Sequence, residues 1–168
     1  MKSIYIACFA LLGLSMTSAA QVSAAEKVFA CPDLSTAEQV GTCPTDKELK
    51  EGYDGICPSV MAKQQACVPF AAYAKGKSKA LWAAQSGSVE FLSYVDCGLS
   101  PKTVRASRAK ALDVNCTARS GRCEALCTYD NDFTLKLRVK GDCRTATQDK
   151  IDCSDDPASC VVKCVIEE

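Results

Sequence analysis

The chain has 168 residues, with 20 Lys or Arg balanced by 20 Asp or Glu, 13 cysteines and no histidine. The missing histidine excludes Ser-His-Asp and Cys-His nucleophile systems, histidine acid–base ribonucleases and His-ligated metal sites, and with them a secreted phospholipase A2. The zero net charge is divided unevenly, at −4 over residues 26–59, +7 over 60–122 and −4 over 123–168, a pattern of complementary segments or of a basic surface for an anionic partner.

In chain order, a short positive start, an apolar stretch over residues 4–14 and a small, polar stretch over 15–25 have the grammar of a signal peptide ending at Ala24 or Ala25. The apolar stretch is too short to cross a bilayer, which needs about 20 residues. Cys8 falls inside it. Twelve cysteines follow: Cys31, Cys43, Cys57, Cys67, Cys97, Cys116, Cys123, Cys127, Cys143, Cys153, Cys160 and Cys164. That density marks an oxidised scaffold of six disulfides, each worth roughly 2–4 kcal/mol, whose pairing a count cannot give. The expectation is a secreted, extracellular chain with a single disulfide-rich domain over 26–168 and no membrane span.

Residues 26–58 read as irregular, because Cys31-Pro32 and Cys43-Pro44 favour extended or turn backbone. Short helical turns are predicted at 37–40 and 46–51, the second stopped by Gly52. Residues 59–96 read as the most helical part, with Ser59, Ser78 and Ser88 as caps, a break at Pro69, and Leu81, Trp82, Phe91, Leu92 and Val95 as apolar positions. Ser100-Pro101 opens a further helix over 100–113, whose polar side carries Lys102, Arg105 and Arg108.

From Arg122 the period changes to two. A strand over 122–129 turns Cys123, Ala125, Cys127 and Tyr129 to one face. After the turn Asp130-Asn131-Asp132, a strand over 133–140 puts Phe133, Leu135, Leu137 and Val139 inward and Lys136, Arg138 and Lys140 outward. A third strand over 159–166 aligns Cys160, Val162, Cys164 and Ile166. The predicted fold class is therefore α+β: short helices at about 59–96 and 100–113 packed on a three-stranded antiparallel sheet within the β part, 114–168.

A cysteine phrase occurs twice, Cys116-x6-Cys123-x3-Cys127 and Cys153-x6-Cys160-x3-Cys164. Residues four apart on a strand are about 13 Å apart, beyond the roughly 4.4–6.8 Å Cα spacing of a disulfide. Cys123 is thus not expected to bond Cys127, nor Cys160 to bond Cys164. Each is expected to staple the sheet to the helical segment covering it.

No cofactor motif or catalytic constellation emerges, and the reading is non-catalytic. Glu90 and Asp96, six apart on a supposed helix, do not share a face. Asp152, Asp155 and Asp156 do not have the spacing of a calcium loop. The basic positions Lys102, Arg105, Arg108, Lys136, Arg138 and Lys140, with Arg119, Arg122 and Arg144, suit an extracellular protein or an anionic glycan. No aromatic is interleaved with them, which disfavours nucleic acid. The runner-up is a protease inhibitor presenting Arg122 or Arg144 beside a cysteine. A third reading is a carrier whose helices 59–96 enclose an apolar ligand. Asn115-Cys116-Thr117 is a formal N-glycosylation sequon.

Overall fold

The computed structural model describes residues 24–61, 63, 66–117, 119–145 and 150–167. The expected signal peptide lies outside these residues apart from Ala24 and Ala25. Strict alternation from Arg122 folds as read: β6 (Arg122–Tyr129) pairs with β7 (Thr134–Thr145) across a turn in which Asn131 and Asp132 adopt left-handed backbone (φ 63° and 57°). Asn and Asp are the non-glycine residues that tolerate this conformation best. Cys123, Ala125, Cys127 and Tyr129 are buried, as are Phe133, Leu135 and Leu137.

The expected three-stranded sheet under packed helices is not what forms. Among the described residues there are nine strands and three short helices. The other strands are β1 (Ala24–Ala30), β2 (Glu38–Gln39), β3 (Lys79–Ser86), β4 (Val89–Asp96), β5 (Ala109–Thr117), β8 (Ile151–Asp152) and β9 (Val161–Glu167). They join one antiparallel sheet in the order β2-β3-β4-β7-β6-β5-β8, and β9 pairs with both β7 and β1. The irregular reading of 26–58 missed β1, and the helical reading of 59–113 missed β3, β4 and β5.

The helix expected within 79–96 is a β hairpin. Ala80, Trp82 and Ala84 of β3 and Phe91 and Val95 of β4 point into the core, and Gly87 at φ 60° makes the turn. The buried face of the sheet outweighed the helix propensity of an alanine-rich segment. The helix expected over 100–113 stops after six residues as α3 (Pro101–Ala106), started by the Ser100 side chain accepting from the Thr103 N–H. Residues 109–113 then enter β5, burying Ala109, Ala111 and Leu112.

β7 belongs to two strand groups. Its first half pairs with β6 and meets β4 at Leu92–Lys136, while Gly141 to Thr145 pair with Ile166 to Val162 of β9. The strand redirects at Gly141, where φ is 144°. Half-cystines fill much of the interior: Cys123, Cys127, Cys143, Cys153, Cys160 and Cys164 are all buried among Phe29, Trp82, Phe91, Leu112, Tyr129 and Val162.

The six disulfides give the repeated phrase a common rule. In both copies the first two cysteines bond each other, Cys116–Cys123 and Cys153–Cys160. The third leaves, Cys127 to Cys31 and Cys164 to Cys143. Neither Cys-x3-Cys closes on itself, as the strand geometry requires. The expected staples to a helical cover do not occur, however. Cys116–Cys123 and Cys143–Cys164 link directly opposed residues of neighbouring strands, and Cys127 ties β6 to the strap after β1. The same strap is held by Tyr129, whose hydroxyl donates to the Pro32 carbonyl at 2.9 Å and whose ring stacks on Phe133. Burial, and secondarily the Asp33 carboxylate, push this phenol far above its ordinary pKa, so it stays a donor.

Residues 43–97 carry a helical arm. Helix α1 (Asp46–Met61) begins with a capping box: the Thr45 N–H donates to Glu48 Oε2 at 2.7 Å and the Glu48 N–H to Thr45 Oγ1 at 3.3 Å. The Thr45 N–H and, after it, the Thr45 hydroxyl, which donates to Glu48 Oε2 at 2.8 Å, hold the Glu48 carboxyl below its usual pKa. The helix passes the predicted stop at Gly52 because Tyr53 packs edge-on against Phe70 and Tyr73 of α2 (Phe70–Lys77), whose pairing the Cys57–Cys67 bridge closes. Cys43–Cys97 ties the base of the arm to the end of β4. No helix among the described residues is long and apolar enough to cross a membrane.

Candidate functional site

The outer face of the sheet collects the residues that alternation turns away from the core. Lys136, Arg138 and Lys140 lie there on β7, as their spacing predicts. Lys136 sits between Leu92 of β4 and Leu126 of β6. Arg138 donates from Nε to Glu124 Oε1 at 2.6 Å across the β6–β7 pair. Arg122 is directly opposite Lys140 in the β6–β7 pair.

Beside this row is an open depression of about 400 Å³, lined by Leu81, Glu90, Leu92, Ser93, Tyr94, Lys136 and Arg138. Two of its apolar residues face solvent, Leu92 at 39% and Tyr94 at 64% exposure. Gln85 Nε2 donates to Glu90 Oε1 at 3.2 Å, which holds the acid at the rim. The arrangement offers apolar contact, an aromatic edge and two cations within one patch, beside the Cys43–Cys97 bridge at the end of β4 and on the strand that carries Cys143. Ligand sites combine these elements: apolar lining with a few placed polar groups.

Leu81, Leu92 and Tyr94 reach this face because 79–96 forms a hairpin in place of the expected helix. The signal was present: Val89, Phe91, Ser93 and Val95 alternate with Glu90, Leu92, Tyr94 and Asp96, and Gly87-Ser88 is a two-residue hairpin turn.

The second predicted basic group does not join this face. Lys102 and Arg105 are on α3, but Arg108 lies beyond its end, so the three do not form one helical stripe. Arg105 Nε donates to the Ala37 carbonyl at 2.9 Å, and the Arg108 N–H donates to Asp130 Oδ2 at 3.0 Å. These residues sit by the Asp130–Asp132 turn. Lys140, midway along β7, is eight residues beyond Asp132, about 26 Å along an extended strand.

Other sequence candidates also find places. Glu90 and Asp96 share the outer face of β4, yet six strand residues put them about 20 Å apart, too far for paired carboxylate chemistry. Asp96 Oδ1 accepts from the Gly98 N–H at 2.7 Å. Asp152 accepts from the Ser154 N–H and hydroxyl, which lower its pKa, and Asp156 accepts from the Ala158 N–H. Both act as turn caps. Asn115 is exposed on β5 opposite Glu124, and the Cys116 that follows it is bonded to Cys123. Cys116, Cys123 and Asp142 converge within 4.8 Å, but the two sulphurs are joined to each other and offer no thiolate.

Arg122 and Arg144 are within paired strands, Arg122 between Thr117 and Lys140, and Arg144 opposite Lys163 with its guanidinium on Asp142. Neither is carried on a protruding loop, which is how an inhibitor presents its specificity residue. Of the helices expected over 59–96 to enclose a ligand, the end of α1 and α2 form, whereas 79–96 is the β3–β4 hairpin. No protein-family model, curated protein or solved structure matches this chain.

Proposed function

We propose that the chain is a secreted, non-catalytic recognition protein. It binds an extracellular protein bearing an acidic, partly apolar segment through the outer face of β4 and β7. The observation that carries this reading is the placement of solvent-facing Leu92 and Tyr94 beside Lys136 and Arg138 in one depression. Apolar side chains supply contact area, the tyrosine is a residue type enriched in interface hot spots, and the cations steer and select an acidic partner. A purely anionic glycan would use the cations and leave Leu92 idle.

The experiment places a photo-crosslinking phenylalanine analogue at Leu92 in the oxidised, secreted protein and exposes it to extracellular extract. Discrete protein adducts are expected, and the double variant Lys136→Glu, Arg138→Glu should weaken capture roughly 10- to 100-fold. Adducts that persist unchanged in the double variant would sink the proposal. So would a heparin-column elution that shifts with the double variant while no protein adduct forms, since that outcome assigns the face to glycan.

A further inference from the structure

We infer that the outer edge of β1 is a self-association surface, on which a second copy of the chain lays its own β1 antiparallel about a two-fold axis through Val28. This edge is apart from the β4–β7 face and rests on different observations. β1 has seven residues and pairs with β9 alone. The path of the sheet ends elsewhere on β2 and β8, strands of two residues each. Very short edge strands are one way proteins blunt an edge that would otherwise template another chain. β1 is not shortened in this way.

One hydrogen bond fixes which main-chain groups face outward. The Cys31 N–H donates to the Cys160 carbonyl at 2.9 Å, in the register that pairs Ala30 with Val161 and Phe29 with Val162. Antiparallel pairs alternate between hydrogen-bonded and non-hydrogen-bonded. Phe29 and Lys27 therefore turn their main-chain groups to β9, and Ala30, Val28 and Glu26 turn theirs away from it. No strand among the described residues meets those outward groups. Val28 is also 58% exposed. Pro32, which has no N–H to give, ends the edge after Cys31.

The edge is complementary to itself in one register. With Val28 opposite Val28, the hydrogen-bonded pairs are Glu26–Ala30, Val28–Val28 and Ala30–Glu26. Lys27 then lies opposite Phe29, and no like charges are opposed. Centring on Lys27 would oppose two lysines, and centring on Glu26 two glutamates, pairings that destabilise a sheet. Centring on Phe29 sets Glu26 against Pro32. Residues 26–30, which remain of β1 when the expected cleavage follows Ala25, have Val28 at their midpoint. A second copy also brings the same open edge, so a single pairing covers both.

Sedimentation equilibrium of the full oxidised protein is the test. The pairing buries far less than the roughly 1,600 Å² of a standard interface, so a monomer is expected below about 5 µM and a dimer above roughly 0.5 mM. Val28→Pro removes an outward N–H and leaves the bonds to β9 in place, whereas Val28→Lys opposes two lysines. Each should weaken association at least about 10-fold. Near-UV circular dichroism of Trp82 checks that the variants are folded, and Val28→Lys decides alone if Val28→Pro fails that check. The Glu26, Val28 and Ala30 amides should exchange fast in dilute protein and slow at the higher concentration, while those of Lys27 and Phe29 stay protected throughout. Lys136→Glu with Arg138→Glu should leave association intact, which keeps this result distinct from failure at the β4–β7 face. The inference is overturned if the native protein stays monomeric at the higher concentration or if a folded Val28 variant associates normally. It is also overturned if the Val28 amide is already protected in dilute protein, or if only the β4–β7 variant loses association.

Discussion

Replacing Cys31 and Cys127 together by alanine is expected to cost about 4 kcal/mol, more than removing any of the short-loop bridges. The two cysteines are 96 residues apart in sequence, whereas Cys116–Cys123 and Cys153–Cys160 each span 7. In the chain-entropy view, a loop near 100 residues is worth about 4.7 kcal/mol and one of 7 roughly 2.5. The Cys43–Cys97 bridge lies inside the long loop and shortens its effective path, which trims the larger value to the expected 4. Local structure adds to the effect. The strap released by the change carries the Pro32 carbonyl that accepts from Tyr129, and it follows directly on β1 with its buried Phe29. A loss of that size lowers Tm by roughly 10–15 °C in a domain of this length. Thermal denaturation of both alanine pairs decides it: a Cys153/Cys160 pair costing as much as the Cys31/Cys127 pair would contradict the role given to the strap.

Gly141→Ala is the second large effect, expected at about 3 kcal/mol or more. Gly141 has φ 144°, a conformation that side-chain-bearing residues rarely adopt. A β-carbon there would lie 2.0 Å from the Val165 carbonyl oxygen and 3.1 Å from the Ile166 Cα. Both obstacles are backbone of β9, so no rotamer change relieves the clash and the strands must part. The Gly141 N–H also donates to the Gly121 carbonyl at 2.8 Å, tying the bend to the β5–β6 turn. The separation should show as faster amide exchange along β9 and β1 while β3 and β4 remain protected. Unchanged Tm and unchanged exchange in β9 would show that β7 does not redirect at this residue.

How far the fold could be read follows from what each segment's side chains had to satisfy. Residues 122–140 and 160–166 alternate strictly because one face is buried and the other is wet, so both strands, their turn and the outward row Lys136, Arg138 and Lys140 were legible. In β3 the inward residues are Ala80, Trp82 and Ala84, with no β-branched residue between Lys79 and Ser86. Local propensity there favoured a helix, and the strand forms because β4 and β2 flank it. The error carried into the site, since a helix would have turned Leu92 towards the core with Phe91. The arm was misread differently: Gly52, Gly55 and Pro58 all oppose a long helix, and the contact of Tyr53 with residues about twenty positions away sustains it. Pairings at such separation leave no periodic trace in sequence.

The disulfides were half legible. Strand geometry excluded Cys123–Cys127 and Cys160–Cys164, while the actual partners depended on strands β1 and β5, which had been read as irregular chain and as helix. Cys116 and Cys123 bond because β5 lies beside β6 in a register that sets them opposite each other.

The binding face, the strap and the arm all require one architecture, in which β6 and β9 are stapled to β5, β1's strap and β7 while the arm is tied at both ends. Peptide mapping of the oxidised, secreted protein under non-reducing conditions tests this most directly. The expected map has Cys31–Cys127, Cys43–Cys97, Cys57–Cys67, Cys116–Cys123, Cys143–Cys164 and Cys153–Cys160. A bond from Cys123 or Cys164 to Cys57, Cys67 or Cys97 would contradict it, because it would place the helical segment over the sheet and remove β4 from the side of β7.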